Sequence, residues 1–105
     1  MEEKNGNTQI KIIRVFDNLK LSPNISVVIY QLTFVNSSGE NREDFIATFK
    51  DNECGEGTWG IGVDIEDALE VASMQFNYYF DGEIKRKNPF KEALKIVQKE
   101  NKRKR

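Results

Sequence analysis

Residues 58–80, TWGIGVDIEDALEVASMQFNYYF, decide the fold, because the apolar period changes inside them. After Asp64, the residues Ile65, Ala68, Leu69, Ala72, Phe76, Tyr79 and Phe80 recur at steps of three and four, one stripe of an α-helical period. Asp64 is the expected N-cap, and Asp67 three residues on completes a capping box with Asp in the place of Glu. Val63 and Ala68 stand where a hydrophobic staple would form. Asp64, Glu66 and Asp67 set three carboxylates at the positive end of the helix dipole, and Gly82 is placed to stop the helix.

Before this helix the pattern is that of strands. Gln9 to Asp17 reads as a strand whose alternation slips at Ile12–Ile13, as a bulge or burial on both faces would cause. Pro23 falls in the connection that follows, outside any ladder. Ile25 to Val35 alternates most cleanly, with Val28, Tyr30, Leu32 and Phe34 on one face and Gln31 and Thr33 on the other. NSSGE, residues 36–40, has hairpin-loop composition. Arg42 to Lys50 returns with Phe45, Ala47 and Phe49 opposite Ile46 and Thr48. After the loop DNECGEG, Thr58 to Val63 puts Trp59, Ile61 and Val63 on one face and Gly60 and Gly62 on the other. A strand face bare of side chains calls for a bulge, a strong twist or close approach of another backbone.

Beyond the main helix, Asn88-Pro89 is an N-cap followed by proline at the first helical position. Phe90, Ala93, Leu94 and Val97 give a second apolar stripe, so a shorter helix is expected from Pro89 to about Asn101. Residues 1–7 are expected to fray, and Lys102, Arg103, Lys104 and Arg105 to form a disordered basic tail. The expected architecture is one α+β domain over residues 1–101: a four-stranded antiparallel sheet, a main helix across one face and a shorter C-terminal helix. The aromatic side of the sheet (Tyr30, Phe34, Phe45, Phe49 and Trp59) is expected to carry the main helix. That assignment leaves no stacking platform for single-stranded nucleic acid on the open face.

Composition excludes several functions. The chain has no histidine, so Ser–His and Cys–His nucleophile pairs and histidine-liganded metals are ruled out. Its one cysteine, Cys54, precludes an intramolecular disulfide, and neighbouring Glu53 and Glu56 disfavour a thiolate there. A reducing cytoplasm is the expected compartment. No apolar run approaches the ~20 residues of a membrane helix, and MEEKNGNTQ has no signal-peptide character. Glu66 and Glu70 lie one turn apart and, with Asp64 and Asp67, have the chemistry to hold Mg²⁺, but a solvated helix face with ordinary capping explains them as well. DNECGEG lacks calcium-loop spacing, and GEGTWGIG lacks the lysine of a phosphate loop and is surrounded by carboxylates. Neither catalysis nor a cofactor or metal is expected.

The charge is strongly segregated although the net charge is −1. Residues 40–83 carry twelve acidic and two basic side chains, whereas residues 84–105 carry ten basic and two acidic ones. Two partner classes follow. The acidic set Asp51, Glu53, Glu56, Glu66, Asp67 and Glu70 suits docking on a basic protein, with Val71, Met74 and Tyr78 as a second apolar helix stripe that the C-terminal helix, a second copy or a partner would cover. The basic set Lys85, Arg86, Lys87, Lys91, Lys95, Lys99, Lys102, Arg103, Lys104 and Arg105 suits a phosphate backbone, or simply solubilises a helix.

The run Gly62-Val-Asp64-Ile-Glu-Asp67-Ala68-Leu69, with Ala72, resembles the strand-to-helix pattern of HicB-type antitoxins over about a tenth of the chain. The loop from Phe49 to Gly62 is longer than that pattern has, and the two strands before it lie outside the resemblance. The leading expectation is a small non-enzymatic protein-binding regulator or inhibitor with an acidic docking surface for a basic, nucleic-acid-handling partner; its size and Lys/Asn/Ile-rich composition are those of phage and mobile-element modules. The alternative is a nucleic-acid-binding or antitoxin-like repressor module using the basic C-terminus.

Overall fold

A computed structural model of the chain describes residues 8–17, 19–20, 23–35, 37–51, 55–80 and 87–103. Four strands precede two helices: β1 (Gln9–Phe16), β2 (Ile25–Val35), β3 (Asn41–Asp51), β4 (Gly55–Gly62), α1 (Ile65–Phe80) and α2 (Pro89–Arg103). The strands form one antiparallel sheet in the order β1-β2-β3-β4, so each is joined to its neighbour in the chain and β1 and β4 are the edges. This is the α+β architecture expected from the alternation and its switch to a helical period.

Local signals account for the elements. The slip at Ile12–Ile13 is a register shift between Ile12 and Arg14 against β2. Gly39, at φ 85°, supplies the left-handed residue of the β2–β3 turn. Asp64 caps α1 as expected: its Oδ1 accepts from the Asp67 amide at 2.7 Å. Asp67 reaches back one residue further than a standard capping box, accepting from the Val63 amide at 3.1 Å. Asn88 caps α2 by accepting from the amides of Phe90 and Lys91, while its Nδ2 donates to Ser73 and Asn77 of α1. One side chain thus both starts α2 and pins it to α1. The helix then continues through Lys102 and Arg103, two residues past the expected end, where cationic side chains favour the negative end of the dipole. The expected stop at Gly82, frayed residues 1–7 and tail residues Lys104 and Arg105 lie outside the described residues.

Packing reverses the expected faces of β2 and β4. Register puts Val27, Ile29, Ala47, Phe49, Gly60 and Gly62 on the side that carries the helices. Val28, Tyr30, Leu32 and Phe34 of β2, with Trp59 and Ile61 of β4, lie on the other side, which neither α1 nor α2 covers. Trp59 keeps 57% of its surface exposed, and Val63 is exposed as well. The expectation holds only for β3, where Ala47 and Phe49 are buried and Phe45 packs against them. The physical reason lies in the glycines. A Cβ on Gly60 would stand 2.2 Å from the Ala72 amide nitrogen, and one on Gly62 would stand 2.5 Å from that of Ala68. The backbone of α1 rests directly on the bare face of β4, which is the close approach a glycine strand permits.

The core is correspondingly asymmetric. Over β4 it is thin and built from Ala68 and Ala72 against glycine. Over β3 and β2 it thickens into an aromatic cluster in which Phe49 meets the rings of Phe76 and Phe90 edge-on at 5.7 and 5.6 Å. Phe76, Phe90, Ile29 and Leu69 are fully buried, each worth about 1.5–3 kcal/mol by area. Arg14 of β1 closes the far side with a bidentate pair to Glu100 of α2, both N–O distances 2.6 Å. That hydrogen bond raises the pKa of the Arg14 guanidinium against the opposing effect of burial.

Candidate functional site

The predicted acidic residues do not converge on one surface. Asp51 ends β3 at the β3–β4 hairpin, and Glu56 pairs with Lys50 near the start of β4. Glu66, Asp67 and Glu70 belong to the first turns of α1, beside the far end of β4. Seven residue steps of strand separate these ends, roughly 20 Å at about 3.3 Å each. Glu66 accepts from Asn101 Nδ2 of α2 at 3.0 Å, Asp67 is engaged in capping, and Glu70 is exposed. Glu53 and Cys54 lie outside the described residues. Among the described residues no group of three or more Cys, Asp or Glu side chains is placed to hold a metal ion.

Between the two acidic ends lies an open groove of about 480 Å³. Its floor is β4 from Gly57 to Ile61, and its wall is the α1 row Val71, Gln75 and Tyr79. No direct signal in the sequence marks it, because it depends on α1 lying flat on β4 and leaving that strand's outer edge uncovered. Among the described residues no strand pairs with this edge. Residues 57–62, GTWGIG, carry no charge and no proline, two of the usual protections of an edge strand, whereas β1 carries Lys11 and Arg14; each edge strand has one register shift, that of β4 falling between Glu56 and Trp59.

The second stripe of α1 borders this groove. Val71 is half-buried, Met74 is 65% exposed and Tyr78 is 79% exposed. The expected cover by α2 is not found: Phe90, Ala93 and Val97 of α2 turn into the core on the opposite flank of α1. Tyr79, expected in the core stripe, is instead 63% exposed at the groove rim and stacks edge-on with Tyr78 at 5.4 Å. Tyr79 falls on the flank of α1 shared with Val71 and Gln75, beside the unpaired edge of β4, whereas Phe76 and Phe80 face the core.

The basic residues divide similarly. Lys91, Lys95, Lys99 and Lys102 are exposed along the outer side of α2, and Lys87 is exposed just before it. Arg103 closes the helix; Lys85, Arg86, Lys104 and Arg105 lie outside the described residues. No helix among the described residues is long and apolar enough to cross a membrane. Gly62 to Leu69, the run that resembles the antitoxin pattern, is in this structure a capped strand-to-helix join explained by Asp64, Asp67 and the close approach at Gly62. Compared with protein-family models, curated proteins and solved structures, the chain finds no match.

Proposed function

We propose that this chain is a non-enzymatic protein-binding module that receives an extended segment of a basic partner along the outer edge of β4. The observation that carries the reading is the uncharged edge itself: six residues without charge or proline, Gly57–Gly62, beside a groove walled by Val71, Gln75 and Tyr79. An added strand takes its affinity from main-chain hydrogen bonds to such an edge and its specificity from alternate side chains entering the groove. The separation of the acidic residues then has a use. Asp51 lies opposite Gly55 at one end of β4, and Glu66, Asp67 and Glu70 begin α1 beyond the other, so a strand with lysine or arginine at both ends approaches acidic residues at each. The excess of acidic residues in 40–83 adds long-range steering toward a cationic partner.

Titration calorimetry with short synthetic peptides tests this. Peptides of alternating apolar residues with basic ends are expected to bind, with affinity falling as salt is raised. Tyr79→Ala, at an exposed position, is expected to weaken binding about tenfold or more, the loss of one aromatic anchor at an interface. Equal affinity for acidic-ended peptides, or an unchanged affinity in Tyr79→Ala, would sink the proposal.

A second reading rests on the exposed row Lys91, Lys95, Lys99 and Lys102, which matches the spacing of a helix laid along a phosphate backbone. Changing Lys91, Lys95 and Lys99 to Gln should then reduce the salt dependence of duplex binding. No binding by the unaltered chain at low salt removes this reading.

A further inference from the structure

The uncovered face of the sheet is an apolar surface that meets the β4 groove only at Trp59 and Ile61. Register aligns its side chains in cross-strand rows. One row is Ile12, Tyr30, Ile46 and Ile61; the next is Val15, Val28, Thr48 and Trp59. Both run from one edge of the sheet to the other without a charge, and Ile10 and Leu32 extend them on one side. Val28 and Thr48 are already shielded by their neighbours, whereas Ile10, Ile12, Val15, Trp59 and Ile61 stay exposed. Charged residues lie toward the two ends of this face: Arg42 and Asp44 at one, and at the other Lys50, with Glu56 opposite it in register and Asp17 accepting from Ser26.

We infer that this face is covered by a second copy of the chain, sheet on sheet, forming a symmetric dimer with a two-layer β-core. Three observations favour this occupant. The first is area. Four strands about 4.8 Å apart and eight or more residues long give a footprint on the order of 500 Å² before side-chain relief is counted. That approaches the ~800 Å² per partner of a standard interface and reaches the upper range of patches that monomers leave bare. The second is shape: alternating apolar rows across a whole sheet are the inner face of a sandwich, in which two sheets pack about 10 Å apart.

The third is charge. With a net charge of −1, two copies repel one another weakly. A two-fold axis running across the strands between the two rows stacks each row on the other. The same operation sets Asp44 of one copy over Lys50 of the second. Single-stranded nucleic acid fits less well, although Tyr30, Phe34 and Trp59 do share this face. Aliphatic side chains separate the three rings, and only Arg42 and Lys50, at opposite ends, could meet phosphate.

Sedimentation equilibrium of the full chain, with no partner present, decides the point. The expected mass is twice 12.2 kDa at high concentration. Emission of Trp59, the single tryptophan, should shift to the red as the dimer is diluted. Ile12→Lys combined with Val15→Lys changes two exposed β1 residues, one in each row and both on the edge away from the groove. This variant should sediment as a monomer, with its cooperative melt and peptide binding at β4 retained. A wild-type chain that stays monomeric at every concentration overturns the inference, as does a double variant that still dimerises. Quenching of Trp59 by a single-stranded oligonucleotide bound to a monomer overturns it too, in favour of a nucleic-acid platform. Because the altered residues are on β1, failure here leaves the β4 proposal standing, and failure of peptide binding leaves this one standing.

Discussion

The two faces of the sheet distribute side-chain volume in opposite ways. On the covered face, β4 presents Gly60 and Gly62, and α1 answers with Ala68 and Ala72, so two backbones nearly touch. On the open face the same strand presents Trp59 and Ile61, and no described element covers them. Burial therefore follows proximity of backbone rather than size of side chain. The glycine face is buried because it is bare, and the aromatic face is available because the helix chose the other side.

This contrast makes quantitative predictions. The largest effect belongs to the thick part of the covered face: Phe76→Ala removes the ring shared by Phe49 and Phe90 and should cost about 3–5 kcal/mol in urea denaturation. Next comes an inversion of the usual order. Gly60→Ala adds one methyl against the Ala72 backbone and should cost about 1–3 kcal/mol. Trp59→Ser removes the largest side chain of the open face and should cost a dilute monomer less than that, by circular dichroism. If the tryptophan proves the more destabilising of the two, the assignment of faces is wrong.

A smaller loss is expected where the covered layer is pinned. Asn88→Ala removes the α2 cap and the bonds to Ser73 and Asn77, for about 1–2 kcal/mol. Hydrogen exchange should report that loss first in α2. The smallest effect is at the rim. Arg14 and Glu100 retain 34% and 41% exposure, so Glu100→Gln should cost only ~0.2–1 kcal/mol, shrinking further as salt is added to a thermal melt.

How much of the candidate site was legible follows from the same geometry. The acidic residues were readable one by one, but their division into two ends required knowing that α1 runs back along β4. The groove had only an indirect signal, an uncharged glycine-rich strand at the end of a run of hairpins. The strip Val71, Met74 and Tyr78 was recognised as needing cover, yet the side on which α2 docks was not, because Phe90, Ala93 and Val97 suit either flank of α1 equally well.

By itself the sequence determined what local interactions decide: the order of six elements, the slip in alternation at Ile12–Ile13, the caps at Asp64 and Asn88, and proline at the start of α2. Each depends on residues within about one turn or one rung, where the chain has few alternatives. Only the tertiary structure decided which side of β2 and β4 became core. Val27 and Ile29 are as apolar as Val28 and Tyr30, so alternation in β2 is symmetric between the faces. For β2 the choice was made by residues more than thirty positions away, where Ala68 and Ala72 could approach Gly62 and Gly60 and larger side chains could not.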